Sequence, residues 1–281
     1  MTPRRLNAAL VLILLAAAPP ARGDDRIALD GRLVQGGLVT GRTLPGTRLS
    51  LDGKPVRVGR DGVFVLGFAR DAAPAPRLAA TFPDGSRADV ALAVAPRAYD
   101  IQRIDGLPPA QVTPSPADLA RIGEETKRIA AARARDSDAT DFLTGFAWPA
   151  LGRISGVYGS QRILNGEPRR QHLAVDVAAP VGTAVTAAAA GTVSLAAPMM
   201  FFTGNTVILD HGRGVGTLYA HLDSIAVTEG ERVARGQLIG RLGGTGRVTG
   251  PHLHWGLSLH ATALDPALVV PPMPAPDPPV R

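Results

Sequence analysis

Two stretches of this chain alternate apolar and polar residues at the period of a β-strand, and one helical stripe lies between them. In the first stretch Leu49/Leu51, Val56/Val58 and Val63/Val65 alternate with other residues. Asp52-Gly53, Asp61-Gly62 and Asp84-Gly85 punctuate the pattern as turn signals. Short strands at this spacing predict a small antiparallel β-sandwich over residues 24–100. It holds no histidine and no cluster of acids, so no chemistry is assigned to it.

A linker over 101–147 follows, rich in proline near Leu107 to Pro116. Inside it Leu119, Ile122 and Ile129 fall on one stripe, which predicts a helix over about 116–135. Ser115 is placed to cap it, Pro116 suits the first helical position, and Asp118 sits where a capping box wants an acid. The helix reads as a structural connector, with a docking arm as the alternative. From Trp148 the strand pattern returns, over Ala184–Ala187, Gly191–Ala196, Asn205–Asp210, Gly216–Ala220, Gln237–Leu242 and His252–Leu257. This predicts a second β-rich domain over 148–270. The tail over 271–281 contains six prolines and is expected to be disordered. The fold class is therefore mainly β with one linker helix.

The 281 residues suffice for two domains, and 32 glycines, 25 prolines and 4% aromatics agree with a turn-rich β protein. Cysteine is absent, which excludes disulfides, thiolate metal sites and cysteine nucleophiles; a metal would have to sit on His, Asp or Glu. Arg4 and Arg5, an apolar run from Leu6 to Ala18 too short to span a bilayer, and small Ala21 and Gly23 predict a signal peptide over 1–23. An uncleaved anchor is the alternative, and in both cases the remainder is exported. Three of the charges behind the net +6 lie in that leader. What remains suits an anionic matrix, and no dense Lys/Arg block argues for nucleic acid.

The chemistry concentrates in the histidines. In His172-Leu173-Ala174-Val175-Asp176-Val177, a strand would put His172, Ala174 and Asp176 on one face and the apolar residues on the other. In His252-Leu253-His254-Trp255-Gly256-Leu257 the same logic puts His252, His254 and Gly256 together. Two imidazoles and one carboxylate leave an open position on a zinc ion and a net positive charge that activates water. His221 in Tyr219-Ala220-His221-Leu222 reads equally as an acid/base group beside such a site or as a satisfied surface histidine. His211, in Asp210-His211-Gly212, reads as structural, and His260 receives no role.

These pieces, in this order, resemble the M23 family of metallopeptidases, the group that includes lysostaphin and LytM. The resemblance runs from about Trp148 to Pro266 and rests on His172 to Asp176, Asp210-His211-Gly212, Tyr219-Ala220-His221-Leu222 and Thr249 to Trp255. It implies a Zn2+ bound by His172, Asp176 and His254, with His221 and His252 as catalytic groups that orient or deprotonate water and stabilise an oxyanion. It also implies the family's β-rich domain, a duplicated hybrid motif, with the site in a groove. The implied activity is hydrolysis of peptide cross-links between the peptide stems of bacterial peptidoglycan, by a periplasmic or secreted enzyme. In a Gram-negative periplasm the bond would join D-Ala to diaminopimelate, and the first domain would serve spacing, docking or wall attachment. The competing reading is a non-catalytic activator of cell-wall amidases or a wall-binding module; proteins of that kind lack part of the ligand set, which is complete here. One departure is Ala174, where the family usually has Gly between its His and Asp; the added methyl bears on substrate fit. The loop Ser160 to Gln171, with three arginines, is expected to wall the groove.

Overall fold

The structure, a computed structural model, describes residues 24–104, 116–164, 167–168 and 170–274. The leader and Ser115 lie outside these residues. Among the described residues no helix is long and apolar enough to cross a membrane.

The first half is built from seven short strands: β1 (Ala28–Gly31), β2 (Leu38–Arg42), β3 (Arg48–Leu51), β4 (Lys54–Val56), β5 (Val63–Gly67), β6 (Arg77–Thr81) and β7 (Arg87–Ala91). They form two antiparallel sheets, β1-β2-β5 and β4-β3-β6-β7. Val39, Phe64, Leu66, Leu78 and Phe82 fill the space between them. Gly41 is required on β2, because a Cβ there would stand 2.1 Å from the ring of Phe64. The Asp-Gly turns appear where the sequence places them, with Gly53, Gly62 and Gly85 all at positive φ.

Strand β5 is buried on both faces. Phe64 and Leu66 point into the sandwich, whereas Val63 and Val65 belong to the core of the second half. The alternation that predicted one buried face thus reports an element buried between two cores. Each valine contributes about 1.5–3 kcal/mol when fully removed from water. Arg213, buried at a turn, reinforces the junction by donating to the Val63 carbonyl at 3.0 Å and to Asp61 at 3.2 Å.

The linker region holds β8 (Ile101–Ile104), helix α1 (Pro116–Arg133) and one 3-10 turn (Asp141–Thr144). Helix α1 ends two residues short of the expected boundary. Leu119, expected on the packed stripe, is 54% exposed. The apolar packing of the helix lies in its C-terminal half, where Ile129 and Ala132 join Leu195, Ile208, Leu218 and Ala220; nearer its start Arg121 donates to the Met199 carbonyl.

The second half contains β9 (Arg153–Gly156), β10 (Gln161–Leu164), β11 (Glu167–Pro168), β12 (Val175–Ala178), β13 (Ala184–Thr186), β14 (Gly191–Met200), β15 (Gly204–Gly212), β16 (Val215–Ile225), β17 (Arg232–Val233), β18 (Leu238–Leu242), β19 (Leu253–Leu259) and β20 (Thr262–Leu264). The main sheet runs β17-β14-β15-β16-β19-β12-β9, with β18 joining β16 to β13 and β20 beside β19. Every residue of β15 is buried. One of its faces fills the core with Val207 and Leu209, and the other lies under α1 through Ile208. The segment Ser160 to Gln171 contains β10 and β11, which pair with each other, and β10 pairs in parallel with β8. The start of the proline-rich tail, expected to be disordered, is held down: the Trp148 indole donates to the Pro271 carbonyl at 2.7 Å, and Met273 packs on the core.

Candidate metal centre

Strands β12 and β19 are antiparallel neighbours, and their register sets Asp176 opposite His254. On β19 the expected alternation holds: Leu253, Trp255 and Leu257 are buried and His254 faces outward. Gly156 of β9 lies across from Asp176 on its other side. A Cβ at Gly156 would stand 2.4 Å from Asp176 Oδ2, so this glycine makes room for the carboxylate.

His172 arrives differently from the expectation. The predicted strand from His172 does not form; β12 begins only at Val175. Leu173, expected in the core, is 36% exposed, and Ala174, expected on the metal face, is fully buried. The chain runs outside the strand here, with His172 bonded to the turn at 157–160. His172 N–H donates to the Ser160 carbonyl at 2.8 Å, and Gly159 N–H donates to the His172 carbonyl at 2.7 Å. With Ala174 buried, its methyl does not enter an open groove.

The three groups nonetheless converge. His172 Nε2 lies 3.0 Å from Asp176 Oδ1 and 3.2 Å from His254 Nδ1, and His254 Nδ1 lies 2.9 Å from Asp176 Oδ1. Among the described residues this is a group able to hold a metal ion. The chemistry of the donor set fits one. His172 Nδ1 is 3.1 Å from the Val157 carbonyl, an acceptor for its N–H, so Nε2 is the nitrogen turned toward the other two groups. Two imidazole nitrogens and one carboxylate oxygen are the donor atoms that zinc takes. Ligand atoms at about 2.0–2.1 Å around a tetrahedral zinc stand roughly 3.3 Å apart, close to the spacing here. Burial pushes the His254 imidazole below its ordinary pKa, so it is held neutral. Burial would raise Asp176, but its contacts with His172 and His254 outweigh that and hold it below the usual carboxylate range. A neutral His254 ring and an ionised Asp176 carboxylate are the protonation states that ligation needs.

Two more imidazoles flank this group. His221 follows Ala220, which pairs with His254 across β16 and β19. The rings of His221 and His252 are 4.8 Å apart, and His221 is 5.8 Å from His254. His221 Nδ1 is 2.9 Å from the Thr245 carbonyl, and His252 Nδ1 is 2.8 Å from the Gly250 carbonyl. Each carbonyl accepts from the Nδ1–H, which leaves Nε2 as the acceptor nitrogen. His252 Nε2 is 3.8 Å from Asp176 Oδ1. Burial holds the His221 pKa down to about 4, so the ring is neutral at pH 7. The His221 backbone lies at φ 63°, in the left-handed region, at a cost of about 1–3 kcal/mol. Its N–H donates to the Thr203 carbonyl.

The other histidines lie outside this cluster. His211 is buried, bonded to the Ala190 carbonyl and the Thr217 hydroxyl, and serves the core. Sequence reasoning did not find the three carbonyls that orient the rings (Val157, Thr245 and Gly250), because backbone acceptors leave no side-chain signal. Gly156 left only the glycine itself.

Peptidase family M23 matches residues 170–266. A candidate M23 peptidase from Pseudomonas aeruginosa, solved by crystallography, is 30% identical, covers 84% of this chain and 94% of its own, and superposes with a TM-score of 0.65. The DD-carboxypeptidase/endopeptidase Mpg of Neisseria meningitidis is 39% identical over 122 residues, which is 43% of this chain and 28% of the relative. The peptidoglycan DD-endopeptidase ShyC of Vibrio cholerae is 40% identical over 119 residues, 42% of this chain and 27% of the relative. The chain thus matches less than a third of the length of these curated relatives. The matched span contains every histidine and carboxylate of the cluster, and the structural likeness covers 84% of the chain: the chain belongs to peptidase family M23.

Proposed function

We propose that this chain is an exported zinc metallo-endopeptidase that hydrolyses peptide cross-links of bacterial peptidoglycan. The observation that carries the reading is the meeting of three possible ligand atoms, His172 Nε2, Asp176 Oδ1 and His254 Nδ1, with two further imidazoles beside them. When bound, zinc supplies Lewis acidity toward a water molecule and toward the scissile carbonyl. His221 and His252 present Nε2 toward that space because the Thr245 and Gly250 carbonyls accept from their Nδ1–H. A neutral ring there takes the proton from the attacking water and returns it to the departing amine. The second ring accepts from the same water through Nε2 and orients it, and would donate to the oxyanion of the tetrahedral intermediate only once protonated there. Relatives named as peptidoglycan DD-endopeptidases support the substrate class, and a polymer outside the cytoplasm agrees with the leader over 1–23.

The complete ligand set argues against an activator that has lost its metal. Digestion of purified peptidoglycan tests the reading, with product masses measured before chelation, after it, and after zinc is restored. Cleaved cross-links that vanish with chelator and return with zinc are expected. Intact cross-links under every condition, together with stimulation of an added amidase, would favour the activator.

A further inference from the structure

We infer that Arg70, in the N-terminal sandwich, is a positioning residue for the metal ligand His172; this rests on the metal reading above. His172 lies ahead of β12, so no strand ladder holds it. Its backbone and its ring Nδ1 bond to the turn at 157–160: His172 N–H to the Ser160 carbonyl, Gly159 N–H to the His172 carbonyl, and the ring Nδ1 to the Val157 carbonyl. A shift of that turn therefore shifts His172.

The outer side of the turn is braced from the other half of the molecule. Arg70 is 9% exposed, and its Nε donates to the Gly159 carbonyl at 2.7 Å. Its guanidinium is fixed in turn by Asp71 at 2.6 Å and lies 4.3 Å from the centre of the Tyr99 ring. Tyr99 also covers Gly159, which has φ 86°; a Cβ there would stand 2.0 Å from the ring. Asp71 accepts from Gln171, the residue before the ligand, at 3.3 Å. A continuous path thus runs from Arg70 through Gly159 to His172. Asp176 and His254 need no such path, since they face each other within the β12–β19 ladder. A sandwich with no chemistry of its own thereby becomes part of the metal site.

The test uses the full chain and two interdomain contacts of similar burial. Arg70→Ala removes the brace. Arg213→Ala removes the junction contact to Val63 and Asp61, which is not part of the path to His172. Zinc affinity is read by competition with a chromophoric chelator, and the ligand geometry by the visible spectrum of the Co2+-loaded protein. Groups that orient metal ligands usually account for about 10–100-fold in affinity. Arg70→Ala is expected to weaken zinc by that factor and to alter the Co2+ spectrum, while Arg213→Ala lowers the melting temperature and leaves both unchanged. Arg70→Lys keeps a donor toward Gly159 and should recover part of the affinity; it also serves if the alanine variant does not fold. Equal zinc affinity in wild type and both Arg70 variants overturns the inference, as does an equal loss in Arg213→Ala, which would mean general loosening. A wild-type chain that binds no ion at all would overturn the metal reading, and this inference with it.

Discussion

Gly156→Ala isolates the metal site from the rest of the fold. Gly156 does not have a positive φ, so the backbone accepts alanine without strain. The new Cβ would lie 2.4 Å from Asp176 Oδ2 and 2.9 Å from its Cγ. Ordinary contact needs about 3.4–4 Å, so the carboxylate must retreat by about 1 Å. Ligand distances in working metal sites vary by only about 0.2 Å. A displacement several times that tolerance should weaken zinc at least about 100-fold, at the upper end of what disturbing a ligand's support does. The readout is zinc affinity by chelator competition, with thermal unfolding of the chelated protein as the control. The chelated variant should melt within a few degrees of wild type, because β9 is a half-exposed strand. A Gly156→Ala chain that binds zinc as tightly as wild type would refute the reasoning, since the carboxylate could not then be the ligand in this position.

Further outcomes follow from the same geometry. His221→Ala should keep zinc but lower turnover of cross-linked peptidoglycan by about 100- to 10,000-fold, the usual share of a general acid–base group, as measured by initial rates. His254→Ala or Asp176→Ala should abolish zinc binding and hydrolysis together; a His254→Ala enzyme with full activity would remove the assignment. Ala174→Gly should cost about 0.5–1 kcal/mol in urea unfolding and leave the product masses unchanged, because the Ala174 methyl is buried. His221, held down to about 4 from 6.5, should also make the metal-free fold acid-sensitive. Below pH 6.5 the unfolded chain takes up a proton that the folded ring refuses until pH nears 4, so stability falls across that window. The 2.5-unit gap corresponds to about 3 kcal/mol. His221→Asn, which tolerates positive φ, should lose that part of the pH dependence in urea titrations at pH 7 and pH 4.

The sequence revealed the site more fully than the framework around it. On β19 the period-2 pattern placed His254 outward and Trp255 inward, as found, because that strand sits inside a ladder over its whole length. The same rule failed at His172. There the pairing of His172 with Asp176 is real, but it comes from a bend held by backbone bonds to a turn, not from a shared strand face. Local alternation cannot report a turn supplied by residues 157–160. The double burial of β5 was equally hidden, since Val63 and Val65 look alike whether they face solvent or a second core. Arg70 and Tyr99 carried no motif at all, because their partner is the carbonyl and bare Cα of Gly159. The exposed Leu119 has the opposite cause: the helix pattern continued past the part of α1 that packs on the core.

The central claim is that His172, Asp176 and His254 together hold the catalytic ion. Crystals of the zinc-loaded chain, measured on both sides of the zinc absorption edge, test it most directly. One anomalous peak is predicted, with His172 Nε2, Asp176 Oδ1 and His254 Nδ1 each about 2.0–2.2 Å away. A peak held by other side chains, or zinc-loaded crystals with no peak among these three atoms, would contradict it.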